Sequence, residues 1–362
     1  MFPDFNQKTI DTVAKRAAFQ CSNPDCRALT VGPNSDPQKS TIIGEAAHIF
    51  GARPGSKRYS AQMTDITRAE ITNAIWLCRN CHKLVDTDEI KHSKEILFAW
   101  REQHENYVQS ELGGTADRIQ LEQQSSELSL FEGYPPIIRR IVIDRPDGWE
   151  WRLTAELMRY LNQPLFQKIE DLRGGLYYKP QENISSEEVI TWVSKRLTEA
   201  SKLVGPIALL FERFNESWGS PGEPGNVKDI YHYSHLLQRH LEQIVLHEEH
   251  IHFADVPQEF EKVVNLLKDL LGSQAEKLKS IPDRLDEIVS LIGTDHGGTT
   301  ENPHRVETII EFELPKGWQT NFDREFRRAE RRLSKGCGGF AAEIWTILLF
   351  GIFVTWLMVS IF

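Results

Sequence analysis

The apolar positions change spacing several times along the chain. Thr41-Ile-Ile-Gly-Glu45-Ala-Ala-His48-Ile49 has the β-branched character of a strand, with His48 near its end. A helix starting near Cys81 would set His82 and Asp86, four residues apart, on one face. The polar stretch from Glu111 to Glu127 reads as a linker or a loosely packed helix. Downstream the pattern turns helical. Ser185 with Glu188 three residues on fits a capping box that opens an amphipathic stretch over 189–218. Gly219 to Asn226 is a Gly/Pro breaker, and further helical periodicity covers 229–253, 258–271 and 273–292. Gly297-Gly298 and Asn302-Pro303 close that region. Segments 141–149 and 311–318 look alike, each reading as strand, Pro-x-Gly-Trp turn and helix start, so their strands are expected to neighbour one another. Residues 344–362 carry no charge and are long enough to span a bilayer. Arg324, Arg327, Arg328, Arg331, Arg332 and Lys335 precede them at helical spacing, which favours a cytosolic N-terminal side.

Charge modifies this picture by location. At 362 residues two or three domains are expected. The net charge of −10 is unusual for a free nucleic-acid binder. Residues 1–105, however, hold 14 Lys/Arg against 13 Asp/Glu, so the acidity lies downstream of them. Six histidines fall between 232 and 252, and His247-Glu-Glu-His250 lacks the zincin spacing; it reads as a polar helix face.

Four of the five cysteines form two pairs, Cys21/Cys26 and Cys78/Cys81, and Cys337 stands alone. Residues 1–15 are polar with no apolar signal segment, so a reducing cytosol is expected. There, paired cysteines are more often metal sites than disulfides. Pro24-Asp25 and Arg79-Asn80 suit the turns that bring thiolate pairs to one tetrahedral Zn²⁺.

The surroundings of the second pair add chemistry. An imidazole and a carboxylate one helical turn apart, His82 and Asp86, can share a divalent cation. A near-neutral histidine, His48, can take a proton from water, and a nearby metal can stabilise the charge developing on a phosphodiester. Between them, Arg53-Pro-Gly-Ser-Lys57-Arg58-Tyr59 is a basic loop that could contact phosphates without base readout.

On His48, Asn73 and the run Asn73-x4-Cys78-x2-Cys81-His82, the chain resembles the HNH endonuclease family over roughly residues 5–106. The resemblance implies a treble-clef-like ββα-metal domain with His48 as general base. It also implies Asn73 as the residue that pins the His48 loop, and His82 and Asp86 as ligands of Mg²⁺ or another divalent cation. The family usually places an acidic ligand directly before the first histidine, where this chain has Ala47. Glu45, on the same strand face, could take that part.

The expected fold is thus α+β: a nuclease domain at 1–108, a linker at 109–138, a mostly helical regulatory or interaction domain at 139–335 and one transmembrane helix at 341–362. The expected function is metal-dependent hydrolysis of DNA by a single-pass protein of the inner or cell membrane, its nuclease domain cytosolic. That location would suit a prokaryotic defence effector. The expected partners are DNA and membrane, with a homo-oligomer or a partner at the middle domain left open. The rival readings are a catalytically silent zinc-knuckle nucleic-acid binder and a membrane-tethered signalling adaptor.

Overall fold

A computed structural model describes residues 4–112, 126–220, 222–292, 304–312, 314–334 and 353–361. It divides into two compact units, residues 1–149 and 150–362.

The first unit starts with α1 (Gln7–Arg16), whose N-cap Asn6 accepts from the Thr9 N–H at 2.8 Å. Strands β1 (Val31–Pro33) and β2 (Ser40–Ile42) pair antiparallel. Strand β3 (Gly44–His48) pairs antiparallel with β4 (Ala74–Cys78), running from Gly44↔Cys78 to His48↔Ala74. Between them lie the 50–64 loop and α2 (Asp65–Ala69). The backbone passes directly from β4 into α3 (Arg79–Thr87), followed by α4 (Lys94–Leu112) and α5 (Pro136–Asp144).

Strand β4 is buried at every position, and Trp76 packs with Val13, Ala14 and Ala17 of the α1 region. Its indole N–H donates to the Thr30 hydroxyl at 2.8 Å. Gly44 must lie against that indole: a Cβ there would come within 2.4 Å of the Trp76 ring and 2.7 Å of Thr30 Oγ1. Both neighbours are buried. Gly44→Ala is expected to destabilise the first unit by about 1–3 kcal/mol through overpacking. A denaturation midpoint equal to wild type would refute this.

A buried charge cluster joins α1, α4 and α5. Arg101, 1 % exposed, donates to the carbonyls of Ile71 and Ala74 at 2.6 and 2.7 Å, and to Glu105 and Asp144. Arg140 and Arg16 meet the same two carboxylates. Through Asp144, α5 is tied to the strand end that precedes the second cysteine pair.

The second unit is mostly helical, with the short strands β5 (Glu182–Asn183) and β6 (Ala254–Asp255) paired in parallel. Its long helices are α6 (Trp149–Arg173), which begins at the last residue of the first unit, α7 (Val189–Ser217) and α8 (Val227–His252). Shorter helices follow, α9 (Glu261–Leu267), α10 (Leu270–Ala275) and α11 (Ile281–Leu291). One core gathers Trp192, Val193 and Leu197 of α7, Ile251 of α8, Val263 and Leu267 of α9, and Trp318 and Phe322 of α12 (Trp318–Ser334). The Ser185 hydroxyl bonds the Glu188 carboxylate directly at 2.7 Å rather than capping a backbone N–H, and α7 begins one residue later. Of the His247-Glu-Glu-His250 face, His247, Glu248 and Glu249 are buried and His250 is exposed. Burial holds His247 at about pKa 4, and Glu248 accepts from the N–H groups of Asp269, Leu271 and Gly272 at the start of α10. Glu249 accepts from Tyr177 and pairs with Lys168 and Lys179.

Three expectations are corrected. The described residues are mostly helical, and their strands, several only two or three residues long, pair two at a time, so the chain is not the α+β fold the sequence suggested. Residues 353–361 form β8 (Phe353–Ile361), antiparallel to β7 (His304–Phe312) in the register His304↔Ile361 to Phe312↔Phe353. No described helix is long and apolar enough to cross a membrane, which removes the transmembrane helix and the membrane location drawn from it. An uncharged run is silent about secondary structure, and Phe353, Val354, Thr355, Trp356, Val359 and Ile361 are strand formers with a partner strand at hand. The rest of the expected span, Cys337 and Lys335 lie outside the described residues, as do 113–125 of the expected linker and the Gly297-Gly298 and Asn302-Pro303 breakers. Finally, residues 141–144 are the end of α5, not a strand beside β7. Pro136 opens that helix, and Ile137, Ile138, Ile141 and Val142 are buried at helical spacing.

Candidate functional site

The two cysteine pairs converge. The Sγ atoms of Cys21, Cys26, Cys78 and Cys81 all lie within 4.8 Å of one another, those of Cys26 and Cys78 at 3.9 Å. Four thiolates at ~2.3 Å from one Zn²⁺ stand about 3.8 Å apart, so this group could hold a metal ion. Each pair is shaped by its backbone. Cys21 N–H donates to Ala28 O and Ser22 N–H to Trp76 O, which docks the first knuckle on β4. Arg27 turns the chain back with a left-handed φ of 46°. Cys78 ends β4 and caps α3: its Sγ accepts from the Cys81 N–H at 3.4 Å. The Asn23 amide donates to Cys81 Sγ at 3.3 Å, as donors to metal-bound thiolates do. Burial pushes the Cys21 and Cys81 thiols up, Cys81 to about 11. Burial acts the same way on Cys78, but the Cys81 N–H and the neighbouring thiols bring it down on balance.

One turn into α3, His82 lies between two carboxylates. Its Nδ1 is 2.7 Å from Glu45 Oε2, across from it on β3. Its Nε2 is 3.6 Å from Asp86 Oδ2. Arg79 Nε also donates to Glu45, at 3.0 Å. The bond to His82 is the main reason the Glu45 carboxyl sits below its usual pKa. The two nitrogens of an imidazole diverge, so the three side chains do not converge on one point. Among the described residues only the four cysteines form a mutually close group of three or more potential ligands. The His82–Asp86 gap is shorter than twice the ~2.1 Å bond that Mg²⁺ makes, so those two could share a cation. Glu45 then meets the far side of the ring, where it fixes tautomer and orientation.

His48, half-buried at the end of β3, stacks on Phe5 with ring centroids 3.9 Å apart and planes 13° apart. Glu45 and Ala47 occupy the alternate strand face. The segment after His48 is held by Asn73, which is fully buried. Its Oδ1 accepts from Phe50 N–H at 2.7 Å, its Nδ2 donates to Phe50 O and Arg68 O, and its carbonyl accepts from Ile49 N–H.

The basic loop is less uniform than its sequence. Arg53 and Lys57 are exposed, and Lys57 lies 3.4 Å from Glu89. Arg58, with a side chain only 6 % exposed, is turned inward. Arg68 is buried under the loop, donating to Gly51, Ser60 and Met63 carbonyls with its guanidinium over the Tyr59 ring.

The sequence reading missed the inward turn of Arg58, the Phe5 stack, the Asn23 bond and the Arg101 cluster. Only the last left a local sign: Arg101/Glu105 and Arg140/Asp144 are both spaced i,i+4. In the second unit, α12 turns Trp318, Phe322 and Ala329 to the core, and Arg324, Arg327, Arg328 and Arg331 line an open groove of about 400 Å³. Comparison of the chain with family models, with curated proteins and with solved structures found no match.

Proposed function

We propose that the first unit is a metal-dependent endonuclease of the HNH kind that hydrolyses DNA phosphodiester bonds. One observation carries this reading. A strand ending in His48 and a helix bearing His82 and Asp86 are joined through β4, with Asn73 clamping the turn after His48. The four-cysteine cluster is read as structural Zn²⁺, since four thiolates complete its tetrahedron and leave no open position. His82 through Nε2 and Asp86 through Oδ2 would hold the second cation, Mg²⁺ or another divalent ion, which when bound supplies electrostatic stabilisation of the pentavalent phosphate and the leaving oxygen. Glu45 keeps the proton on His82 Nδ1. His48 takes a proton from the attacking water, its ring held by the Phe5 stack and its following backbone by Asn73. Arg53 and Lys57, exposed on the loop, meet the substrate backbone.

Supercoiled-plasmid nicking by the full chain tests this, with zinc retained and Mg²⁺ or Mn²⁺ added or omitted. Cleavage should require the added ion. His48→Ala should lose about 10²–10⁴-fold, the usual contribution of a general base, without loss of zinc. No nicking by zinc-loaded protein under any ion would leave a zinc-bound nucleic-acid-binding module, the reading that Ala47 before His48 favours. A filter-binding measurement on the same DNA would then decide for it.

A further inference from the structure

Arg58 was expected at the substrate. Its guanidinium instead faces the protein and makes three bonds. Nε donates to Ile49 O at 2.9 Å, Nη1 to Val85 O at 2.7 Å and Nη2 to Asp86 Oδ1 at 2.8 Å. Ile49 directly follows His48, and Val85 directly precedes Asp86. One planar side chain thus joins the end of β3 to the last turn of α3. Its backbone has φ 58°, a region unfavourable to any residue with a Cβ. The chain holds that conformation while directing the side chain inward.

The consequence falls on Asp86. This carboxylate is half-exposed, and an exposed aspartate turns between rotamers. With Oδ1 held by Arg58, Oδ2 remains toward His82 Nε2 at 3.6 Å. Glu45 fixes the opposite side of the same imidazole. Both candidate ligands are therefore oriented from behind by a partner that leaves the inner atom available.

Resting on the endonuclease reading above, we infer that Arg58 is the positioning residue of the second cation site. It presents Asp86 Oδ2 to a divalent ion and couples that helix to the strand bearing His48. Lysine cannot replace it, because an ammonium on a flexible stem cannot reach two carbonyls and a carboxylate in a fixed fork.

The test is Mn²⁺ binding to the full zinc-loaded chain, followed by electron paramagnetic resonance, with zinc content measured on every sample. Wild type should bind one Mn²⁺, and Asp86→Ala should lose it. Arg58→Met and Arg58→Lys should each weaken Mn²⁺ at least tenfold while keeping zinc, and raised Mn²⁺ should restore nicking. Mn²⁺ affinity within twofold of wild type in either variant overturns the inference and leaves the nuclease reading intact. A variant that loses its zinc also counts against it, for Arg58 then holds the unit as a whole. A wild-type chain that binds no Mn²⁺ overturns both.

Discussion

Cys78→Ser is expected to abolish metal binding by the cysteine cluster and to unfold residues 44–87 with it. The side chain at this position ends β4 opposite Gly44, caps α3 by accepting the Cys81 N–H and faces the other three thiols. Serine keeps the cap but is a poor Zn²⁺ ligand. Structural zinc sites carry on the order of 10–16 kcal/mol of apparent binding free energy, more than a small domain's stability. Metal content per chain and amide exchange across 44–87 would register the loss. Retained zinc with protected amides in β3 and β4 would refute the assignment of the cluster as the staple of this unit.

Asp144→Ala is expected to destabilise the first unit by about 3–5 kcal/mol, the usual cost of leaving buried charge without its partner. The Asp144 side chain is fully buried and meets Arg16, Arg101 and Arg140. Its loss leaves three guanidiniums to Glu105. Burial, with Arg140 alongside, already holds the Arg101 pKa below its ordinary value, while Glu105 is pulled well below the carboxylate range by the surrounding arginines despite its burial. Urea-induced zinc release reports on this unit alone. A midpoint within 1 kcal/mol of wild type would mean that water or neighbouring groups compensate the arginines.

What the sequence disclosed was the part fixed by short spacing. A Cys-x2-Cys turn, a histidine directly after it and a carboxylate one turn later are local facts, and α3 follows from them. The run 41–49, read as one strand, divides into β2 and β3, and its β-branched residues Thr41, Ile42 and Ile43 precede β3. What it concealed depends on contacts between distant residues. Nothing near Arg58 signals that its side chain turns inward, since a Gly/Pro-rich basic loop reads the same whether its arginines face solvent or protein. Asp144 lies 43 residues from Arg101, beyond the reach of any local pattern. Hydropathy alone could not tell a membrane helix from β8, because the partner strand begins 49 residues upstream, at His304.

The seamless passage from β4 through Cys78 into α3 has a consequence for when the proposed activity would begin. The helix that carries His82 and Asp86 is capped by a thiol of the four-cysteine cluster. If the cluster takes zinc as proposed, translation would deliver a polypeptide whose proposed cutting site has yet to be armed, and armament would wait on zinc uptake. Under zinc scarcity such a chain would accumulate as an inert pool, harmless to the DNA of the cell that makes it. Release of the ion would disarm mature molecules without touching any residue that handles phosphate.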